Sequence, residues 1–220
     1  MLVRGKYVLT DGANGKSVFQ EDAAVLICQD TIREIGPYED LHRRYPQEDV
    51  AGDGTQILMP GLIDAHTHGA GLSYVQRGVT LDYLENALLK FATAFQLQPE
   101  TTAMLNAVRH IQNGCTTLHH NESGAALDPH LKETCARKIE GYQTTGIRLG
   151  FSPGVRNKNV LAYDDREFLR TLPPDLRQEA EPMVYIDQER AVDEYMEAFE
   201  DLYSKYNSAK TRIFFGPNWV

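Results

Sequence analysis

The rhythm of apolar and polar positions changes once, decisively, along the 220 residues. The first fifty-odd positions carry short β-rich runs, "GKYVLT" (5–10) and "AAVLICQD" (23–30), around the turn cluster "DGANGK". "TIREIGPYED" continues through Ile32 and Ile35 to a Gly-Pro break. "QILMPGLIDAHTH" (56–68) is a further extended segment, interrupted at Pro60-Gly61 where the chain passes from one layer to the next. Residues 1–57 therefore read as an antiparallel, sandwich-like opening, a partial β-sandwich.

Past His68 the period lengthens. Leu81, Leu84, Leu88, Phe91 and Phe95 recur at three- and four-residue steps, one face of a helix that Thr80 can cap. Pro99 suits the first turn of a second helix, with Ala103, Ala107 and Ile111 inward and Gly114 at its end. "CTTLHH" (115–120) is a short strand. Asp128-Pro129 opens a third helix with Leu131, Cys135 and Ile139 on one stripe, and "IRLGFS" (147–152) is the next strand. The polar stretch 153–187 shows no clear period beyond one short helix near Asp164. Residues 188–206 form a strong helix with Val192, Tyr195, Met196, Phe199, Leu202 and Tyr206 on its apolar face, a core stripe. "RIFFG" (212–216) is a last strand.

Strands at 58–66, 115–120, 147–152 and 212–216 thus alternate with helices, which implies a parallel sheet with right-handed crossovers. No short-period repeat and no low-complexity tract interrupts this order.

Composition is that of a soluble globular protein, 42% apolar and 24% charged. The net charge of -9 and the absence of a basic cluster argue against nucleic acid as partner. No apolar run approaches the roughly 20 residues that span a bilayer, and no signal segment follows Met1. Cys28, Cys115 and Cys135 are odd in number and widely spaced, so they read as thiols in a reducing, cytoplasmic setting rather than as a disulfide framework.

The chemistry lies in "PGLIDAHTHGAG" (60–71). Alternate residues of a strand share a side, so His66 and His68 can present both imidazoles to one ion, with Asp64 in phase further down. Imidazole suits zinc, iron, nickel or copper better than magnesium or calcium. A catalytic zinc site takes about three protein ligands and a water, so two histidines are half of one. A bare H-x-H is most simply a chance pair. Here it closes an apolar strand between Pro60-Gly61 and a loop holding Gly69 and Gly71, which favours the metal reading.

"MPGLIDAHTH" resembles the signature of the amidohydrolase superfamily, in which H-x-H ends the first strand of a (β/α)8 barrel. "TLDYLE", "ETTAMLNAVRHIQNGCTTL" and "FFGPNW" resemble later parts of its deaminase and chlorohydrolase branch, and the β-rich opening resembles that family's sandwich portion. The resemblance implies a (β/α)8 TIM-type barrel beginning at residue 58, of which about the first four strands are present, with His66 and His68 as metal ligands. It implies one divalent metal, zinc first and iron as the alternative, because Phe215-Gly216-Pro217 holds no lysine to bridge two ions. It also implies a reaction: metal-activated water attacks the carbon of a C–N bond other than a peptide bond, with a general base moving the proton to the leaving amine. The general base and the family's remaining ligands, a histidine after the fifth strand and an aspartate after the eighth, fall at positions this sequence does not contain.

Active sites of such barrels collect at the C-terminal ends of strands. That rule selects Gln76, Arg77, His119, His120, Asn121, Glu122, Ser152, Arg156, Asn218 and Trp219. Most of these read equally well as solvated loop residues. Gln76, Arg77, His120 and Trp219 are taken forward as substrate-binding candidates. His119 and His120 face opposite sides of an extended strand, so at most one faces the pocket. His42 reads as exposed, and His110 and His130 as structural or solvated.

A barrel of this kind needs eight strands and about 250 residues. Three expectations follow: the front part of a longer enzyme acting on a small, flat nitrogen heterocycle, which is favoured; a chain completed by a homo-oligomer or complementing partner; or a non-catalytic scaffold relative that keeps the histidines as a relic.

Overall fold

Four parallel strands in chain order make the sheet that carries the histidine pair: β6 (Leu62–Thr67), β7 (Cys115–Asn121), β8 (Arg148–Ser152) and β9 (Thr211–Ile213). The computed structural model describes residues 1–11, 15–80, 82–83, 86–87, 90, 94–124 and 128–217. Leu81, Leu84, Leu88 and Phe91 of the helix expected after His68 lie outside the described residues, as do Asn218 and Trp219.

The chain divides into two units, Met1–Gly61 and Leu62–Val220. In the first, β1 (Leu2–Asp11) pairs antiparallel with β2 (Ser17–Cys28), which pairs antiparallel with β3 (Thr31–Pro37). Helix α1 (Tyr38–Arg44) buries Leu41 against Leu2, Ala24 and Leu26. The antiparallel expectation needs one correction: β4 (Val50–Ala51) and β5 (Ile57–Leu58) run parallel to β1. At two residues each they are too short to carry a readable period. His42, expected to be exposed, is half-buried and stacks on Tyr38, with ring centroids 5.4 Å apart.

In the second unit, helices α2 (Pro99–Gln112), α3 (Leu131–Thr145) and α6 (Gln188–Tyr206) cover one face of the parallel sheet. Each end has a local cause. Pro99 opens α2, where its missing N–H costs nothing. Gly146 adopts a left-handed φ of 77° to end α3. The Asp187 side chain caps α6 by accepting from the Arg190 N–H at 3.0 Å. Leu118, Leu149, Phe151 and Ile213 of the strands pack against Ala103, Ala107, Cys135, Ile139, Tyr142 and Leu202 of the helices. Gly141 lets α2 and α3 close up, since a Cβ there would stand 2.6 Å from the Glu100 carbonyl oxygen.

Three expectations about helix faces and ends change. Ile111 is exposed, as α2 turns it away from the core. Val192 and Met196 flank the buried stripe of α6 rather than belonging to it, each remaining more than a third exposed. Residues 153–187 hold two helices, α4 (Asp165–Thr171) and α5 (Pro174–Val184). Asp164 caps α4 as its position suggests, accepting from the Glu167 N–H at 3.0 Å. Strand β9 ends at Ile213, although the Phe214 N–H still reaches the Phe151 carbonyl at 2.9 Å.

All three cysteines are free, Cys115 and Cys135 buried and Cys28 half-buried. Among the described residues, no helix is long and apolar enough to cross a membrane.

Candidate metal centre

His66 and His68 stand at the C-terminal end of β6, beside the end of β7. Their Nε2 atoms face one another at 3.3 Å, with the two rings perpendicular and their centroids 4.9 Å apart. Two imidazole nitrogens bound to one tetrahedral zinc, each at about 2.0–2.1 Å, lie about 3.4 Å apart. The pair therefore already has the spacing of one edge of such a site. Both side chains are exposed, so an ion can reach them.

Asn121, the last residue of β7, holds both rings. Its main-chain carbonyl accepts from His68 Nδ1 at 2.9 Å, and its side-chain Nδ2 stands 3.0 Å from His66 Nδ1. A carbonyl oxygen only accepts, so His68 carries its proton on Nδ1 and offers a bare lone pair at Nε2. A partner on the far nitrogen that fixes the tautomer is what a metal-binding histidine requires.

Asp64 does not join the pair. Its carboxylate accepts from His110 Nε2 of α2 at 2.8 Å and from the His66 N–H at 3.1 Å. The His110 bond leads in holding the Asp64 carboxyl below the usual carboxylate range. His110 Nδ1 meets the Asn106 carbonyl at 2.7 Å, so both ring nitrogens face acceptors and this histidine ties strand to helix. Asp64 in turn fixes the backbone of His66.

His119 and His120 do face opposite sides. His119 bonds Ser152 Oγ through Nε2 at 2.8 Å and lies 5.2 Å, centroid to centroid, from Phe214. Partial burial, then the charge of nearby His66, holds its imidazole below the ordinary histidine value. The described helices do not cover this face, where Ile63 is 70% exposed.

His120 points into the helix-covered layer and is 0% exposed. Its Nδ1 meets the Tyr142 hydroxyl at 2.7 Å, its Nε2 meets Glu122 at 3.2 Å, and Phe151 stacks on its ring. Asn106 Nδ2 donates to the same Tyr142 hydroxyl at 2.9 Å, and Lys138 closes the chain on Glu122. One proton order satisfies every member: Asn106 to Tyr142, Tyr142 to His120, His120 to Glu122. Burial alone would raise the Glu122 carboxyl, but the His120 bond and the Lys138 charge outweigh it and bring it down to about 2. Burial pushes His120 the other way, below the ordinary histidine value.

This buried histidine supports the metal pair from below. Gly69, in the loop leaving His68, has φ +60°, and a Cβ there would stand 2.3 Å from the His120 ring. Only glycine lets the loop lie on that ring. His120 is closed to solvent in this arrangement, unlike the pocket residue expected at this strand end, and its ring nitrogens meet Tyr142 and Glu122.

The other strand-end candidates are engaged locally. Gln76 Oε1 accepts from the Ser73 N–H at 3.0 Å and from Arg109 Nη2 at 3.1 Å. Arg77 is buried, donates from Nε to the Phe95 carbonyl at 2.9 Å and bonds the Gln96 side chain. Arg156 is bound to carbonyls of its own loop, at Lys158 and Asn159. The residue that sequence reasoning left undistinguished is Asn121. Half of its contribution comes from its main chain, and only its place at the end of β7 marked it.

Among the described residues, no group of three His, Cys, Asp or Glu side chains converges on one point. The histidine pair supplies two donors, and further ligands are needed to complete a metal site.

Comparison with known proteins bears on this geometry. The chain matches no protein-family model. It is 40% identical over 47 residues to imidazolonepropionase of Pyrobaculum arsenaticum, covering 21% of this chain and 12% of that protein. It is 25% identical over 175 residues to the 5-methylthioadenosine/S-adenosylhomocysteine deaminase of Nitratidesulfovibrio vulgaris, covering 76% and 36%. Among solved structures, the zinc complex of atrazine chlorohydrolase from Arthrobacter aurescens superposes with a TM-score of 0.65 at 20% identity, covering all of this chain and 47% of that one. The chain thus spans less than half the length of that structure, and its alignments span about a third or less of the curated relatives. The likeness in structure shows a partial (β/α) barrel. In sequence, the likeness is to an imidazolonepropionase and to a 5-methylthioadenosine/S-adenosylhomocysteine deaminase.

Proposed function

We propose that this chain forms the front part of an amidohydrolase-type (β/α)8 barrel. On this reading a divalent metal, zinc first, binds at the mouth of the barrel with His66 and His68 as two of its ligands. The reaction is hydrolysis of a C–N bond other than a peptide bond, by deamination or ring opening, in a small nitrogen heterocycle. The observation that carries the reading is the convergence of the two Nε2 atoms to 3.3 Å at the end of the first parallel strand.

A bound zinc ion supplies an acidified water and polarises the substrate carbon. His66 and His68 hold the ion, Asn121 orients the rings, Asp64 holds the His66 backbone, and His120 shapes the Gly69 loop beneath them. The face bearing His119, Ser152 and Phe214 provides a wall with one polar pair and one aromatic ring, suited to a flat heterocycle.

The test is direct zinc titration of this chain together with the segment or partner that supplies the remaining ligands, beside the same assembly carrying His66→Ala or His68→Ala. Each substitution is expected to abolish stoichiometric binding while leaving the fold intact by circular dichroism. Equal zinc binding by wild type and both variants removes the ligand assignment.

A further inference from the structure

The side chains on the open face of the parallel sheet can be placed by alternation. Leu118, Leu149, Phe151 and Ile213 point into the helix-covered core, so His119, Arg148, Gly150, Arg212 and Phe214 point the other way. His119, Gly150 and Arg212 stand side by side in register on three adjacent strands. On this face lies a hollow of about 250 Å³, lined by Ile63, His119 and Phe214 and by three cations, Arg148, Lys210 and Arg212.

Two features of the hollow pull in different directions. Ile63 and Phe214 are 70% and 47% exposed, apolar groups of the kind that mark a surface to be covered. The cations are well placed only while water or an anion reaches them. The chain holds 31 acidic residues against 22 basic ones, yet among the described residues no Asp or Glu lines the hollow. An apolar cover would strip water from two guanidiniums and an ammonium without supplying a counter-ion, a larger penalty than Ile63 and Phe214 return.

A cover that brings carboxylates satisfies both features. A second copy of this chain laid face to face does not, because it sets three cations against three. The sheet edges fit an added sheet segment: β6 and β9 are the outer strands, each with one side unpaired among the described residues. The cations also gather toward the N-terminal ends of the strands. Arg148 is the first residue of β8 and Lys210 directly precedes β9, whereas His66 and His68 stand at the C-terminal end of β6. Carboxylates that answer these cations therefore lie below the metal level and are not its ligands.

We propose that the open face is the docking surface of a partner polypeptide that extends the sheet from β6 and β9 and sets carboxylates against Arg148, Lys210 and Arg212. The proposal rests on the barrel reading above and names the chemistry of the surface that completes the barrel, an acidic layer beneath the metal opposite a basic layer in this chain.

The test is the affinity of this chain for the polypeptide that supplies the remaining metal ligands, measured by calorimetry at low and high sodium chloride. Wild-type association is expected to weaken with salt. Arg148→Glu/Arg212→Glu should weaken it about a hundredfold or more, whereas Arg148→Gln/Arg212→Gln should weaken it less and flatten the salt dependence. Arg190→Glu, on α6 and away from this face, should change neither. Arg148, Arg190 and Arg212 are all exposed in this chain, so each variant should keep the wild-type circular dichroism. Replacing the partner's facing carboxylates by lysine should restore binding to Arg148→Glu/Arg212→Glu and to no other variant. Unchanged affinity and salt dependence in the charge-reversed variant overturn the proposal, as does self-association of the wild-type chain that the same variant abolishes. Charge-dependent association in an assembly that binds no zinc keeps the proposal and overturns the metal reading alone. Zinc bound by an assembly insensitive to Arg148 and Arg212 does the reverse.

Discussion

The Tyr142 hydroxyl and His120 Nδ1 lie 2.7 Å apart inside the layer between α3 and β7, both side chains closed to solvent. The hydroxyl serves two neighbours, since Asn106 donates to it at 2.9 Å. Tyr142→Phe keeps the ring volume but strands one buried donor and one buried acceptor. Each stranded group costs about 1–3 kcal/mol. The variant should therefore fold and unfold at markedly lower urea concentration, with an unchanged denaturant slope. Wild-type stability in Tyr142→Phe would mean that water satisfies these groups and that the chain of bonds contributes little.

Acid sensitivity follows from the same network, and the signs are fixed by burial. His120 is held below its ordinary value of about 6.5, so the unfolded chain takes up a proton there before the folded chain does. Stability contributed by its neutral form is complete above about pH 6.5 and declines as pH falls below it. Glu122, brought down from 4.5 to about 2, adds a second loss that begins near pH 4.5 and runs down to about pH 2. Unfolding measured against pH should show both limbs. Glu122→Gln should remove the lower limb and lower stability at neutral pH, because half-buried Lys138 then loses its anionic partner. A stability profile flat from pH 7 to pH 5 contradicts the buried, neutral His120.

Gly69 is where the buried network and the surface pair meet. Gly69→Ala adds a methyl group 2.3 Å from the His120 ring at a backbone φ of +60°. Both faults act together, one steric and one conformational. The loop must lift, carrying His68 with it, so zinc affinity should fall at least tenfold while the parallel sheet remains. Cutting back the ring in the double variant Gly69→Ala/His120→Ala should recover part of that loss if the clash is its main cause. No recovery would assign the effect to the backbone together with the Tyr142 hydroxyl, which the same Cβ would meet at 2.6 Å.

What could be read beforehand followed physical rules that act locally. H-x-H at the end of an apolar strand places both rings on one side, so the pair was legible, and so were the alternating strands and helices that frame it. The direction of His120 was half legible: alternation says that neighbouring histidines diverge, but not which one meets the helices. Asn121 was not legible, because a main-chain carbonyl leaves no trace in residue identity. Helix α5 escaped notice for another reason: it buries none of its side chains, so it shows no apolar stripe. Val192 and Met196 show the converse, an apolar stripe drawn wider than the face the sheet covers.

Asp64 offers the last test, because its two oxygens do separable jobs. One accepts from the His66 N–H at 3.1 Å and the other from His110 Nε2 at 2.8 Å. Asp64→Asn can keep the first bond through its Oδ1, since the acceptor there need not be charged. The second contact can also persist, the amide Nδ2 donating to His110 Nε2 once that ring carries its single proton on Nδ1, toward the Asn106 carbonyl. Asp64→Ala loses both. If Asp64 acts on the site by holding the His66 backbone, zinc affinity should fall modestly in Asp64→Asn and by about tenfold in Asp64→Ala, within the range for such supporting contacts. His110→Ala should then cost stability with little change in zinc affinity, because it leaves the His66 bond in place. Should His110→Ala weaken zinc as much as Asp64→Ala does, the support runs through the strand-to-helix tie, and the His66 N–H bond is incidental.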